Sequence, residues 1–142
     1  QAGSNNVYEV HGNLKELFCL DCKTKYSLED ISLFRIPPNC KQCGGILKPN
    51  IVFFGDPLPS MIYQKALDAA DKADVFILIG TTGEVAPANM IPRRAKDTGA
   101  KIVEINTNKS RYSADITDVF LQTKATIGMK RLKEQLNSNN IL

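Results

Sequence analysis

The sequence predicts an α/β fold in which a doubly wound parallel sheet carries a small inserted zinc-ribbon module. Two Cys-x-x-Cys pairs, Cys19 with Cys22 and Cys40 with Cys43, have the spacing of a four-cysteine metal site. The continuous apolar segment 75–79 is typical of a strand inside a parallel sheet. Strand and helix patterns alternate after it, as they do in strand–helix–strand units. The sequence therefore predicts both a metal-binding module and a parallel α/β sheet.

All four cysteines of the chain lie in the predicted zinc module. Each pair supplies two thiolates from one tight turn, and the residues between the pairs let them converge on one ion. Two disulfides, or a redox-active Cys-x-x-Cys motif, are the alternatives for the same residues. Four thiolates complete a tetrahedral shell, so a zinc ion here would be structural because no position stays open for water or substrate.

The composition is that of a globular protein with one modest core and a small satellite. Of the 142 residues, 43% are hydrophobic and 23% are charged. The net charge of +3 comes from scattered basic residues, which do not form the basic patch of a nucleic-acid-binding protein. No apolar segment approaches the roughly 20 residues of a membrane span, and the first residues lack the features of a signal peptide. We therefore expect a cytoplasmic protein in a reducing compartment, with no membrane partner and no direct nucleic-acid binding.

The first third of the chain predicts short elements around the cysteine pairs. The alternating residues 7–11 predict a strand that ends at a Gly-Asn turn. Short strands are predicted at 14–18 and 24–26, on either side of the first cysteine pair. Residues 27–30 predict a helical turn with a serine as its N-cap.

The rest of the chain predicts alternating strands and helices. Residues 51–54 predict an apolar strand that stops at Gly55, with Phe53 and Phe54 as core residues. A helix is predicted from Ser60 to about Ala73, followed by a strand at 75–79 that is buried on both faces. The next helix is predicted to start near Pro87 and Pro92 and to end at Gly99, and it is followed by a strand at 101–105 and an edge strand at 116–120. A closing helix is predicted with Met129, Leu132 and Leu136 on its apolar face.

Two polar loops follow strands of the predicted parallel sheet, at the edge where such sheets bind ligands. Gly80, Thr81 and Thr82 offer a bare backbone and two hydroxyls that can approach a phosphate or a ribose. Asn106 offers an amide group at the end of the next strand. Ordinary turns are the alternative for both loops. The sequence contains no Gly-x-Gly-x-x-Gly phosphate loop, so one half of a dinucleotide site is missing from it.

His11 is the only histidine of the chain. A neutral imidazole can accept or donate a proton near neutral pH, which makes His11 a candidate general base. A structural role is the alternative. A role as a zinc ligand is disfavoured because the four cysteines already complete a tetrahedral shell.

Several of these motifs occur in an order that resembles the sirtuin family, the NAD-dependent protein lysine deacylases. The match runs from residue 2 to about residue 128. It comprises Ala2-Gly3-Ser4, Tyr8-Glu9-Val10-His11-Gly12-Asn13, the cysteine pairs with Gly44-Gly45, Leu47-Lys48-Pro49, Val52-Phe53-Phe54-Gly55-Asp56, Leu58-Pro59, Gly80-Thr81-Thr82, Pro87-Ala88 and Glu104-Ile105-Asn106. The resemblance implies a Rossmann-like parallel sheet, incomplete because its N-terminal part is absent, with NAD as co-substrate, one structural Zn²⁺ held by the four cysteines, and an acyl-lysine protein or peptide as substrate.

The resemblance also implies a role for each matching position. His11 matches the general base that activates a hydroxyl of the nicotinamide ribose. The segment Val52, Phe53, Phe54 and Gly55 matches the stretch that pairs with the substrate peptide as an added strand. The positions that match NAD contacts are Gly80, Thr81 and Thr82 for the cofactor-holding loop, Asn106 and Thr107 for the adenosine ribose, and Lys124 and Ala125 for the adenine.

Three positions depart from the usual family pattern. Thr82 replaces a serine, Asp56 replaces a glutamate, and Glu84 stands where an apolar residue is commoner. The family's glycine-rich NAD loop, its mobile cofactor-binding loop and its Gln-Asn-Ile-Asp motif would all precede Gln1, so we expect a fragment that is inactive by itself.

The predicted organisation assigns residues 1–14 and 49–142 to a Rossmann-type NAD-binding domain and residues 15–48 to the zinc ribbon. The alternative function is a non-catalytic zinc-ribbon module that binds peptides by strand addition along residues 51–54.

Overall fold

The computed structural model describes residues 3–138, which form two compact units. We call residues 1–63 the cysteine unit and residues 64–142 the sheet unit. Ala2, which belongs to the first motif of the sirtuin resemblance, lies outside the described residues. The predicted assignment of 1–14 and 49–142 to one domain and of 15–48 to another stays a prediction, because compactness alone does not show which residues bind NAD.

The cysteine unit is built on a three-stranded antiparallel sheet. Its strands are β1 (Gly12–Cys19), β2 (Lys25–Ser27) and β3 (Leu47–Ile51), in the order β2-β1-β3. Leu17 lies opposite Tyr26 on one side and Pro49 on the other. The two strands predicted around the first cysteine pair are therefore confirmed. The buried residues of this unit are Leu17, Cys19, Ile31, Cys40 and Leu47.

One prediction for the start of the chain is wrong. Residues 7–11 form no strand. Val7 is 61% exposed, and the Gly12 N–H donates to the Glu9 carbonyl across a turn at 2.8 Å, so β1 begins only at Gly12. A helical turn does follow Ser27, as a single 3-10 turn at Leu28–Asp30, but the Ser27 side chain makes no capping hydrogen bond.

The strand predicted at 51–54 is also wrong beyond its first residue. Strand β3 ends at Ile51, and the chain then turns, with the Asp56 N–H donating to the Phe53 carbonyl at 3.0 Å. Phe53 is 51% and Phe54 97% exposed, so neither belongs to the core of this chain. Apolar character alone predicted a buried strand, whereas the turn encoded by Gly55 and Asp56 starts earlier than expected.

The sheet unit contains a parallel sheet. Its strands are β4 (Val75–Ile79), β5 (Lys101–Asn106) and β6 (Val119–Gln122), in the order β4-β5-β6. The helices of the chain are α1 (Ser60–Ala70), α2 (Met90–Asp97) and α3 (Ala125–Ser138). The predicted parallel strand–helix–strand arrangement is confirmed. Helix α1 ends at Ala70 rather than near Ala73, and the predicted edge strand at 116–120 is displaced to Val119–Gln122.

The core of the sheet unit lies around strand β5. Ile102 and Ile105 are fully buried, and the cluster around Ile102 also contains Tyr112 and Ile116. Strand β4 was expected to be buried on both faces, which is wrong for the described residues: Leu78 is its one buried residue, and Val75 is 54% exposed. The physical reason is that β4 pairs only with β5 and so forms one edge of the described sheet. Within residues 3–138, no helix is long and apolar enough to cross a membrane.

Candidate functional site

The four cysteines converge in the cysteine unit, as their spacing predicts. Their Sγ atoms all lie within 4.8 Å of one another. The shortest distances join the two pairs, at 3.4 Å from Cys19 to Cys43 and 3.6 Å from Cys22 to Cys40. A tetrahedral zinc ion with Zn–S bonds of about 2.3 Å holds its sulfurs about 3.8 Å apart, so this arrangement fits zinc. All four are free thiols, so the disulfide alternative is not what the structure contains.

Hydrogen bonds within each Cys-x-x-Cys turn hold the thiols in this position. The Lys23 N–H donates to the Cys19 carbonyl at 3.1 Å, and the Gly44 N–H donates to the Cys40 carbonyl at 2.9 Å. The Cys40 N–H also donates to the Gly45 carbonyl at 2.7 Å. Two thiols of the cluster are buried and two are exposed, so the cluster lies at the surface of the unit.

The pKa values of the thiols also indicate that the cluster would be stabilised by a bound cation. A hydrogen bond from the Tyr26 hydroxyl, at 3.1 Å, is the main cause that lowers the pKa of Cys40 to about 6. The Gly45 N–H works to lower the pKa of Cys43, but the neighbouring thiols Cys22 and Cys19 outweigh it and raise that pKa to about 12. Four thiolates this close together repel one another, and a bound divalent cation removes that penalty.

His11 lies in the turn immediately before strand β1, and its backbone is bonded to the segment predicted to bind the peptide. Its carbonyl accepts a hydrogen bond from the Val52 N–H at 3.0 Å, and its side chain is exposed. Gly12 follows with φ of +74°, and a Cβ at this position would lie 1.9 Å from the Asn50 carbonyl oxygen. The backbone beside His11 therefore accepts only glycine.

An ion pair that the sequence did not predict holds the residues after Val52. The Lys48 ammonium group contacts the Asp56 carboxylate, whose Oδ2 also accepts the Phe53 N–H at 3.1 Å. The same ammonium lies 4.5 Å from the centre of the Phe53 ring. The Lys48 contact, followed by the Phe53 N–H, holds the pKa of Asp56 below its usual value. The aspartate that replaces the usual glutamate thus fixes the turn that presents Phe53 and Phe54.

In the sheet unit, the positions predicted to bind NAD gather at one edge of the parallel sheet. Strands β4 and β5 are parallel, so the loops that begin at Gly80 and after Asn106 leave the same edge. The Gly80 N–H donates to the Ile105 carbonyl at 3.1 Å, and the Asn106 side-chain amide donates to the Thr81 carbonyl at 2.9 Å. The structure therefore confirms that these two loops are neighbours.

The loop after strand β6 joins the same edge. The Thr123 N–H donates to the Asn106 carbonyl at 3.0 Å, and Lys124 and Ala125 follow as exposed residues at the start of α3. Thr107 is also exposed, and its carbonyl accepts a hydrogen bond from the Gln122 side chain at 3.3 Å. All seven positions predicted to contact NAD thus lie at or next to the carboxyl ends of three adjacent strands. Whether they contact NAD stays a prediction.

The sequence predicted no role for Glu104, a carboxylate of strand β5 that lies close to this edge. Glu104 is completely buried, and its Oε2 accepts hydrogen bonds of 2.8 Å from the hydroxyls of Ser113 and Thr117. One signal was present in the sequence: Glu104 is the single charged residue inside the apolar run from Ile102 to Ile105, and charged residues are rarely buried without partners.

The fold and the two sites define an α/β protein with a parallel sheet and a four-cysteine metal-type module. A sequence profile of the Sir2 family matches residues 1–87, more than half of the chain. The chain therefore belongs to the Sir2 family, the sirtuins, as the motifs predicted.

Individual proteins agree with this assignment. The chain is 42% identical over 136 residues to NAD-dependent protein deacylase 2 of Pyrobaculum aerophilum, covering 96% of this chain and 54% of the relative. It superimposes on a point mutant of a Sir2 homologue in complex with ADP-ribose with a TM-score of 0.92 at 33% identity, covering 99% of this chain and 56% of the other. Sir2 bound to an acetylated peptide gives a TM-score of 0.87 at 31% identity, covering 94% of this chain and 57% of the other. The chain thus spans about half the length of the relatives that it matches.

Proposed function

We propose that this chain is part of an NAD-dependent protein lysine deacylase, which transfers the acyl group of a modified lysine to ADP-ribose and releases nicotinamide. The observation that carries the proposal is the alignment of 96% of the chain, at 42% identity, with a relative named as such a deacylase. The gathering of polar loops at the carboxyl edge of the sheet supports it, because open parallel sheets bind nucleotides at that edge.

His11 is the proposed general base. In the reaction, the acyl oxygen attacks the ribose carbon and displaces nicotinamide, and a base then takes the proton from a ribose hydroxyl so that its oxygen can attack the acyl group. An exposed imidazole near neutral pH is suited to accept that proton. The hydrogen bond from the Val52 N–H to the His11 carbonyl keeps this base next to the segment 52–55, which we propose as the docking strand for the acylated peptide.

NAD is proposed to bind at the carboxyl edge of the sheet. Gly80, Thr81 and Thr82 would hold the nucleotide through the backbone and two hydroxyls, and Asn106 and Thr107 would bind the adenosine ribose. Lys124 and Ala125 would lie beside the adenine. The hydrogen bonds between these loops support the proposal, because they preorganise the edge before the nucleotide arrives.

The four cysteines are proposed to hold one structural Zn²⁺. With all four thiolates bound, the ion has no free position and supplies no chemistry to the acyl group. The free thiols favour a reducing intracellular compartment such as the cytoplasm, where a zinc site is more stable than a pair of disulfides. Acyl-lysine peptide and NAD are the proposed partners, and no observation favours a nucleic acid or a membrane.

The test of this function is deacylation by the protein expressed from its complete reading frame, with an acetyl-lysine peptide and NAD as substrates. The wild type should release nicotinamide, and His11→Ala should lower kcat at least about 100-fold, the usual contribution of a general base. Lys15→Ala, an exposed change on strand β1 four residues after His11, is the matched control and should retain activity. Full activity in His11→Ala would remove His11 from the mechanism, and a wild type that consumes no NAD would reject the function.

The second candidate is a zinc-ribbon module that binds peptides without catalysis. The exposure of Phe53 and Phe54 within segment 52–55 favours it, since these rings could contact an added strand. Titration calorimetry separates the two functions: binding of ADP-ribose by the 142-residue chain would contradict a module that only binds peptides, whereas peptide binding without ADP-ribose binding by either the chain or the longer protein would support it.

A further inference from the structure

A buried carboxylate lies beneath the edge of the sheet that we propose for NAD. Glu104 has 0% exposure, and among residues 3–138 it is the one charged side chain that is buried. It lies on strand β5, two residues before Asn106. Because side chains alternate along a strand, both residues point to the same face of the sheet. Taking a charge out of water is costly in free energy unless the charge is hydrogen-bonded, so the partners of Glu104 indicate what it does.

The partners of Glu104 all come from one segment of the loop between β5 and β6. Its Oε2 accepts hydrogen bonds of 2.8 Å from the hydroxyls of Ser113 and Thr117. Burial works to raise the pKa of Glu104, but the neighbouring Ser110 and the hydrogen bonds from Ser113 and Thr117 outweigh it and hold the pKa below its usual value. The group is therefore an ionised carboxylate at neutral pH that binds residues 110–117 to strand β5. We call these residues the hydroxyl segment.

The hydroxyl segment in turn supports the loop that follows strand β4. The Arg111 N–H donates to the Thr82 carbonyl at 3.0 Å. The Tyr112 ring packs against Gly83 so closely that a Cβ on Gly83 would lie 2.6 Å from the ring. The Tyr112 hydroxyl donates to the Asn89 carbonyl at 3.2 Å. The end of the loop at Thr82 and Gly83 therefore depends on the position of the hydroxyl segment.

Strand β5 supports the beginning of the same loop. The Asn106 amide donates to the Thr81 carbonyl at 2.9 Å, and the Gly80 N–H donates to the Ile105 carbonyl at 3.1 Å. Both supports of the loop 80–83 thus meet at Glu104. One support is strand β5, which contains Glu104, and the other is the hydroxyl segment, which the Glu104 carboxylate binds. A shift of this carboxylate would move the loop relative to Asn106.

We propose that Glu104 is a positioning residue for NAD, which sets the spacing between the loop 80–83 and Asn106 without touching the nucleotide. The inference rests on the proposed function and concerns a residue to which that function assigns no contact with a substrate. Its Oε2 acts through the hydroxyls of Ser113 and Thr117 in the hydroxyl segment. Binding of the adenosine half of NAD therefore depends on a charge that solvent does not reach.

Asp118 provides the control for a purely structural effect. This carboxylate also binds strand β5 to the loop that follows it, because its Oδ2 accepts the Ile102 N–H at 2.8 Å and its Oδ1 contacts the Lys96 ammonium at 2.7 Å. It acts at Ile102, four residues before Asn106, and its contacts do not include the loop 80–83. Asp118→Asn thus weakens the same strand at the opposite end from the proposed nucleotide edge.

The experiment compares Glu104→Gln with Asp118→Asn in the protein expressed from its complete reading frame. Glutamine keeps the shape of the side chain but loses the charge that its hydroxyl partners stabilise. We expect Glu104→Gln to raise the KM for NAD and the Kd for ADP-ribose about tenfold, the loss of one charge-assisted hydrogen bond. Because His11 and segment 52–55 are unchanged, kcat should stay within about threefold and the KM for the peptide should not change. Asp118→Asn should leave both NAD constants within about twofold.

Two milder variants each remove one of these contacts and keep the Glu104 carboxylate itself. Ser113→Ala and Thr117→Val each delete one hydroxyl partner, and we expect both to raise the KM for NAD in the same direction as Glu104→Gln. They carry the test if Glu104→Gln does not fold. Unchanged NAD constants in Glu104→Gln, or in both hydroxyl variants, would overturn the positioning role, as would an equal loss in Asp118→Asn. A wild type that binds no ADP-ribose would reject the proposed function instead.

Discussion

The two units of this chain hold their candidate sites by opposite means. In the cysteine unit, four thiols converge from two short turns, and two of those cysteines are themselves among the five residues of the buried cluster. In the sheet unit, an apolar cluster of seven residues forms without any metal-type side chain, and the site lies at the edge of the strands that this cluster supports.

The difference shows what each unit needs in order to fold. The antiparallel sheet of the cysteine unit has a small core, and domains of this size usually depend on a metal or disulfides. The parallel sheet buries Ile102 and Ile105 completely and ties its loops with hydrogen bonds between residues distant in sequence. We therefore expect metal loss to affect the first unit and loop changes to affect the second.

Removal of the metal should produce the largest effect and should divide the chain into its two parts. Chelation, or Cys40→Ala, leaves the remaining thiols without the ion, and binding of structural zinc supplies on the order of 10 kcal/mol of folding free energy in small modules. Amides of β1 and β2 should lose protection from hydrogen exchange, whereas those of β5 should keep it. Zinc content measured on the same samples provides the control. A stable, metal-free variant with β1 still protected would contradict the difference between the units.

A smaller effect is expected from a methyl group beside His11. At Gly12, alanine would adopt φ of +74° and place its Cβ 1.9 Å from the Asn50 carbonyl oxygen, so strain and a backbone clash combine. Gly44→Ala is the matched control in the same unit, because φ is +78° there and no described atom lies within 4 Å of the added Cβ. We expect Gly44→Ala to cost about 1 kcal/mol and Gly12→Ala at least about 3 kcal/mol in the free energy of unfolding, measured with denaturant. Equal costs would show that β3 yields to the methyl group.

The same contrast explains how far the sequence could be interpreted. The cysteine spacing predicted the metal-type cluster, because a Cys-x-x-Cys turn is a local structure. Strand β5 and the loops at Gly80 and Asn106 were predicted from apolar runs and turn residues. The strand at 51–54 was not predicted correctly, because Phe53 and Phe54 look like core residues and only the tertiary contacts of Lys48 and Asp56 show that they are exposed.

The contacts that support the proposed nucleotide edge could not be predicted from local sequence patterns either. The contact between Glu104 and the hydroxyls of Ser113 and Thr117 joins residues that no short motif connects, and it becomes visible only when β5 and the following loop are packed together. A charged residue inside an apolar run signals such a contact, but it does not identify the partner.

The smallest expected effect is the loss of stability in acid, which compares aspartates of the two units. Asp56 has its pKa lowered by Lys48 and the Phe53 N–H, Asp71 by Arg94, and Asp118 by the Ile102 N–H and Lys96. A carboxylate whose folded pKa lies below its unfolded value of about 3.9 stabilises the fold above that value, and the contribution is lost as the pH falls through the lowered pKa. The melting temperature of the protein should therefore decrease as the pH is lowered below about 4.

Asparagine variants assign this loss to the units. Asp71→Asn combined with Asp118→Asn should flatten the pH dependence of the stability of the sheet unit below about pH 4. Asp56→Asn should do so only for the cysteine unit, and hydrogen exchange measures each unit separately. Asp68→Asn serves as the control, because the hydrogen bond that Asp68 accepts comes from the neutral amide of Gln64. These ion pairs are partly exposed and screened by solvent, so each change should be smaller than that of Gly12→Ala. An unchanged acid transition in the double variant would show that the stability of the sheet unit comes from its apolar cluster alone.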